Sequence, residues 1–177
     1  MNKHSGSLAV VTKFRIAGFF FLFIIIFSTN CVKYSFKGAL PSYLKTIMIP
    51  SFEDRSRWVG LQEKVGLSVV DAFVRDNTLQ VVENEDDADL VLEGTILPVN
   101  TRKTSITPGE VVEEEQLVVS VQLECINKHT NKALWSGTVS DFGVVSGSAT
   151  LDERDIAIDE AVEKVVTEIL NRTIAAW

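Results

Sequence analysis

Two periodicities divide the chain into elements. Leu117, Val119, Val121, Leu123 and Cys125 occupy every second position, with Val118, Ser120, Gln122 and Glu124 between them. A period of two predicts a half-buried antiparallel strand, with Cys125 pointing inward as a small core residue. Asn127–Lys132 reads as a hairpin turn and Ala133–Val145 as the return strand, on which Trp135 covers the core. The spacing changes upstream: Leu61, Val65, Val69, Ala72 and Phe73 form one stripe of an amphipathic helix within Trp58–Asp76, stopped by Asn77. Gly60 and Gly66 each weaken that helix by about 1 kcal/mol relative to Ala, so packing must hold it. A second stripe, Ile158, Val162, Val165 and Ile169, belongs to a helix running to about Ala175. Thr150 and Glu153 open it as a capping box, and Asp152, Glu153 and Asp155 suit the positive end of its dipole.

The intervening segments complete the order. Leu44–Phe52 is a short first strand in which Pro50 marks either its end or a place near a sheet edge, and Leu79–Glu83 a second, followed by the acidic turn Asn84–Asp87. Ala88–Thr101 reads as one long third strand in which Gly94 and Pro98 mark a bend, bulge or edge. Arg102–Glu110 is a loop tip and Gly143–Ala149 a small-residue loop. Strand, helix, three or four strands, helix predicts an α+β fold: a two-layer sandwich with two amphipathic helices on one face of a mostly antiparallel four- to five-stranded sheet.

The amino terminus follows a different rule. Lys3, Lys13 and Arg15 precede an uncharged run, Ile16–Phe27, which is followed by Ser28, Thr29, Asn30 and Cys31. Twelve residues at about 1.5 Å each make a helix of roughly 18 Å, against a hydrocarbon core of about 30 Å. A basic head, a short apolar middle and small polar residues describe a removed export signal over residues 1–30. The mature chain then begins at Cys31, with a tether over 31–43 and a single domain over 44–177. A thiol at the cleavage point can carry a diacylglyceryl group and the new amino terminus a further acyl chain, and two or more chains hold a protein on a bilayer. The site resembles a bacterial lipobox, with Ser28 where Leu is usual and Asn30 where a smaller residue is usual. An uncleaved anchor, or an ordinary secretory signal cut nearby, is the alternative.

Charge and chemistry narrow the function. The chain carries a net charge of −7, which becomes −10 once three basic residues leave with the signal. That balance argues against a nucleic-acid partner, whose phosphates require a basic face. With Cys31 acylated, Cys125 has no thiol to pair with. The mature chain holds one histidine, His129, which reads as a solvated turn residue, and no His-based metal cluster can form. Glu83–Asp87 and Glu113–Glu115 are runs of the kind found in solvated loops and strand ends. Neither a G-x-S-x-G elbow nor a phosphate-cradling glycine loop is present. The expectation is a protein without enzymatic activity, metal or cofactor other than the lipid on Cys31.

Read together, several segments resemble the LPS-assembly lipoproteins of the LptE family. They are Cys31-Val-Lys-Tyr34-Ser35-Phe36-Lys-Gly38-Ala-Leu40-Pro41, Lys45-Thr46-Ile47-Met-Ile49-Pro50-Ser-Phe52 with the following Asp54-Arg55-Ser56 turn, Ala88-Asp89-Leu90-Val91-Leu92-Glu-Gly94, and Ala133-Leu134-Trp135. Val32-Lys33 departs from the glycine common there. The resemblance implies a lipid-anchored outer-membrane protein on the periplasmic side that partners a large β-barrel, LptD, as plug and assembly factor and assists lipopolysaccharide insertion. It also implies that basic residues at loop tips touch lipopolysaccharide, with Arg102 and Lys103 as first candidates and Lys128 and Lys132 in the hairpin turn as second; ordinary solvated charges are the competing reading. A stand-alone envelope lipoprotein that binds a periplasmic ligand or cell wall, or regulates an envelope enzyme, is the alternative.

Overall fold

The computed structural model describes residues 40–105 and 113–175. The signal, Cys31 and the tether as far as residue 39 lie outside the described residues, as does most of the Arg102–Glu110 segment. Seven strands and two helices follow in the order β1 (Thr46–Met48), β2 (Glu53–Asp54), α1 (Leu61–Asp76), β3 (Gln80–Val82), β4 (Leu90–Ile96), β5 (Asn100–Ser105), β6 (Glu113–Asn127), β7 (Lys132–Ser146) and α2 (Leu151–Ile174). A 3₁₀ turn, Glu85–Asp87, separates β3 from β4.

The two-layer α+β arrangement holds, but the sheet has seven strands and is mixed. β1 pairs in parallel with both β3 and β4, and β2 with β4. The cause is α1, which serves as the crossover from β1 and β2 to β3; such a return makes parallel neighbours. The remaining pairs, β4–β6, β5–β6 and β6–β7, are antiparallel. Prolines set two breaks that the hydrophobic runs concealed. Pro50 separates β1 from β2, and Pro98 splits the expected third strand into β4 and β5. Ile96 stands opposite Val121 and Asn100 opposite Val118, so three residues of one strand face two of the other, a bulge at Pro98. Gly94 bends nothing: β4 passes through it, and the Phe52 ring fills the space a Cβ would take, 3.0 Å away.

One side of the sheet is buried under both helices. Leu90, Leu92, Leu117, Val119, Val121, Leu123 and Cys125 face Val65, Val69, Phe73, Ile158, Val162, Val165 and Ile169 in a single core. Burial pushes the Cys125 thiol up to about 12, in keeping with its place as a core residue. Asn77 (φ 58°) ends α1 with its N–H on the Phe73 carbonyl, 3.0 Å away. The α2 capping box is present: Glu153 N–H donates to Thr150 Oγ1 and Thr150 N–H to Glu153 Oε2 (2.7 Å). The expected small-residue loop from Gly143 is instead the end of β7, and Gly143 lies where the Ala157 carbonyl of α2 touches the strand. Among the described residues β7 pairs on one side only, and side chains of α2 cover its outer edge. Lys164 Nζ donates to Phe142 O (2.9 Å) and Arg172 Nη1 to Thr138 O (3.5 Å).

Candidate functional site

β6 has a basic candidate pair at each of its ends, and the ladder fixes their separation. Arg102 stands opposite Gln116, whereas Lys128 follows Asn127. Eleven residues of extended strand part them, about 35 Å at ~3.3 Å per residue. The four basic residues therefore form two sites.

At the far end, Arg102 and Lys103 belong to strand β5, although composition assigned them to a loop tip; Gln116 and Glu115 of β6 pair with them in register. Successive strand residues point to opposite faces. Lys103, opposite Glu115, takes the helix side, and Arg102 the open side. Lys103 Nζ lies 4.0 Å from Glu115 Oε1, and Arg154 Nη2 donates to Glu115 Oε2 at 2.7 Å. The Glu115 side chain is only 9% exposed, so these cations offset the cost of burying its charge and tie the start of α2 to the sheet. Arg102 is exposed and makes no ion pair among the described residues. An exposed guanidinium with its donor fork unspent suits an anionic oxygen ligand.

At the near end, the tether enters beside the β6–β7 turn. Leu44 N–H donates to Pro41 O (2.9 Å), and β1 begins alongside β4, whose Leu90 faces Asn127. Lys128 is ion-paired with Glu85, and Lys132 is exposed as the first residue of β7 and so lies just outside the turn. His129 is not simply solvated: its Nε2 lies 2.7 Å from Asp89 Oδ1, and its ring meets Tyr43 edge-on at 5.5 Å. The other Asp89 oxygen accepts from Lys45 N (2.7 Å) and Thr46 N (3.0 Å). Burial alone would raise the Asp89 carboxyl, but the hydrogen bonds from Lys45, His129 and Thr46 hold it at about 2. Asn127 Oδ1 accepts from His129 N and Thr130 N and so shapes the turn. This knot joins three strands where the tether arrives. The Ala88-Asp89-Leu90 segment carried the signal for it, but only the paired register shows that His129 is its partner.

Trp135 is partly buried against the core as expected, and its indole N–H is enclosed without a partner in the described residues. Among the described residues no group of three His, Cys, Asp or Glu is placed to hold a metal, and no helix is long and apolar enough to cross a membrane.

A family model described as LptE, lipopolysaccharide-assembly, matches residues 44–173. No curated protein sequence matches the chain. A solved protein of Xanthomonas campestris superposes on 78% of this chain and 89% of its own, with a TM-score of 0.57 and 16% identity. A minor lipoprotein of Acinetobacter baumannii covers 75% of this chain and 94% of its own (TM-score 0.53, 14% identity), and lipoprotein B of Nitrosomonas europaea 77% and 85% (0.53, 16%). At such identities the likeness shows the fold.

Proposed function

The chain belongs to the LptE family of lipopolysaccharide-assembly proteins, and from that premise we propose that it is an envelope lipoprotein of the outer membrane. Acyl chains on Cys31 hold it on the periplasmic side. It partners a large LptD-like β-barrel as plug and assembly factor and assists the passage of lipopolysaccharide to the outer leaflet. It does so by binding, without catalysis: His129 has its Nε2 on Asp89, and Asp89 is spent on backbone N–H groups.

One observation carries the reading. The tether joins the domain at one end of β6 and the exposed Arg102 stands at the other, about 35 Å away. The apolar band of an outer-membrane barrel is about 25 Å tall and its interior is polar. A domain anchored in the inner leaflet and inserted along the lumen would carry Arg102 to the level of the outer leaflet, where a lipid phosphate could meet it. Two measurements test this. Affinity purification of the solubilised lipoprotein should recover the barrel in equimolar amount; none would leave it a stand-alone envelope lipoprotein. Arg102→Ala should weaken lipopolysaccharide binding by the purified protein several-fold at an unchanged melting temperature, whereas Lys103→Ala should cost stability first. Unchanged binding in Arg102→Ala removes the lipid contact.

A further inference from the structure

Two residues in and before α1 are ones the fold would not choose. Gly66 stands in the middle of the helix, where glycine lowers stability relative to alanine. Its φ is not positive, and a Cβ built on it meets nothing within 4 Å, so no close approach requires the missing side chain. Arg57 has φ 60°, a conformation that suits glycine and that Asn77 and Asn131 tolerate, but that strains a long side chain. It is exposed and makes no ion pair among the described residues. Hydrogen bonds fix the loop around it. Ser56 N–H donates to Asp54 Oδ1 (2.7 Å), Trp58 N–H to Ser56 Oγ (3.0 Å) and the Trp58 indole to Asp155 Oδ1 (3.1 Å). Held this way, the loop presents Arg57 and the 98% exposed Val59 to solvent. What Gly66 leaves open is a groove of 300 Å³ between α1 and the segment that joins β1 to β2. Ile49, Pro50, Leu67 and Val70 line it, and Leu67 is 64% exposed. Leu67, Val70 and Val74 thus form a second apolar stripe on α1, apart from the buried one. Gln62 and Glu63, in the first turn of the helix, stand at the end of the groove nearest Arg57 and Val59.

We propose that this groove holds one acyl chain of lipopolysaccharide, with Arg57 on a phosphate of the head group. The inference rests on the lipid-handling part of the function proposed above and adds to it a site separate from Arg102. Chemistry selects the occupant. A cation beside an apolar channel matches an anionic amphiphile, with phosphate at the guanidinium and methylenes against Leu67 and Val70. Glu63 at the rim repels a head group that slides toward the groove and so keeps the phosphate at Arg57. The lipid accounts for both unfavourable residues. The groove exists because position 66 lacks a side chain, and the cation is presented because position 57 accepts strain.

The test uses the purified full-length lipoprotein, with lipopolysaccharide and its fully deacylated form as probes. Gly66→Ala should melt about 2–4 °C above wild type, and Gly66→Leu, which also fills the groove, no lower than wild type. Arg57→Gly removes the cation at a backbone that favours glycine and should likewise melt no lower. Gly66→Leu should lower affinity for lipopolysaccharide about tenfold, the equivalent of roughly two methylenes, and leave affinity for the deacylated form unchanged. Leu67→Gln, at an exposed position, should repeat that pattern, whereas Arg57→Gly should weaken both probes several-fold. If wild type binds and Gly66→Leu and Leu67→Gln bind the intact lipid as tightly, the groove proposal fails alone. Equal losses for both probes in these two variants would place the defect outside the chain contact and also overturn it. Gly66→Ala melting below wild type would show that the glycine serves packing, with the same consequence. If wild type binds neither probe, the lipid-handling reading fails and takes this proposal with it.

Discussion

A single methyl group at Gly143 should separate the helical layer from the sheet. A Cβ built there would lie 1.8 Å from the Ala157 carbonyl oxygen, 2.6 Å from its carbon and 2.8 Å from Ala157 Cα, all of them backbone atoms. To restore an ordinary contact of 3.4 Å, α2 must withdraw from β7 by about 1.6 Å. A radial gap of even 0.5–1 Å forfeits roughly a quarter to a half of a dispersion contact. The gap would open beneath Ala157, Ile158, Ala161, Val162 and Val165, all at 2% exposure or less. Overpacking typically costs about 1–3 kcal/mol, and a rigid helix backbone cannot give way as a side chain can, so Gly143→Ala should cost at least ~3 kcal/mol. Against a total stability of about 5–15 kcal/mol, that is a large share. Urea denaturation of the purified protein should show the midpoint falling by more than ~1 M with the slope unchanged. The decisive control is Gly143→Ala with Ala157→Gly. Because the obstacle is the carbonyl, removing the Ala157 methyl should rescue nothing, and the double-mutant cycle should show a coupling within about 0.5 kcal/mol of zero. Gly143→Ala within about 0.5 kcal/mol of wild type, or rescue by Ala157→Gly, would refute the geometry.

Three further outcomes follow from contacts elsewhere. Asp89 is held at about 2 against an ordinary 3.8, so its stabilisation is complete above pH ~4 and is lost as pH falls toward 2; the difference is roughly 2 kcal/mol. Asp89→Asn should therefore lower stability by about that amount at pH 7, and the gap from wild type should close in acid melts; a gap constant from pH 7 to pH 2 would sink the assignment. Cys125 is fully buried with its thiol raised to about 12, so at pH 8 the native mature protein should take up no maleimide and the urea-unfolded protein one equivalent. One equivalent in the native state would reveal a free thiol at Cys31 and end the lipid-anchor proposal. Lys164 and Arg172 donate to the Phe142 and Thr138 carbonyls on the outer edge of β7, so Lys164→Ala with Arg172→Ala should raise the aggregation rate in light scattering while lowering the melting temperature only slightly. A variant that stays as monodisperse as wild type would show the edge needs no such cover.

What the sequence made legible depended on whether a feature repeats. Leu117–Cys125 and the two helical stripes keep one period over several turns or pairs, and burial of one face enforced each of them. The parallel strands β1, β2 and β3 are two or three residues long, too short to show any period, and their pairing arises from the α1 crossover. Arg102 and Lys103 were misplaced for a related reason. Thr101-Arg102-Lys103-Thr104 has no apolar alternation because β5 is exposed on its outer edge and borrows its order from β6. Register then decides their chemistry in a way composition cannot. A one-residue step puts Lys103 over buried Glu115 on the helix side and leaves Arg102 on the open face. Under the proposed function the two adjacent cations therefore have separate roles, Lys103 in cohesion of the fold and Arg102 in contact with what lies outside it. Exchanging the two side chains should change little: Arg102→Lys with Lys103→Arg keeps a cation on each face and should bind lipopolysaccharide nearly as wild type. A single-residue insertion before Arg102 would swap the faces and should lose stability and binding together. Binding that survives that insertion would show that local charge, and not strand register, does the recognising.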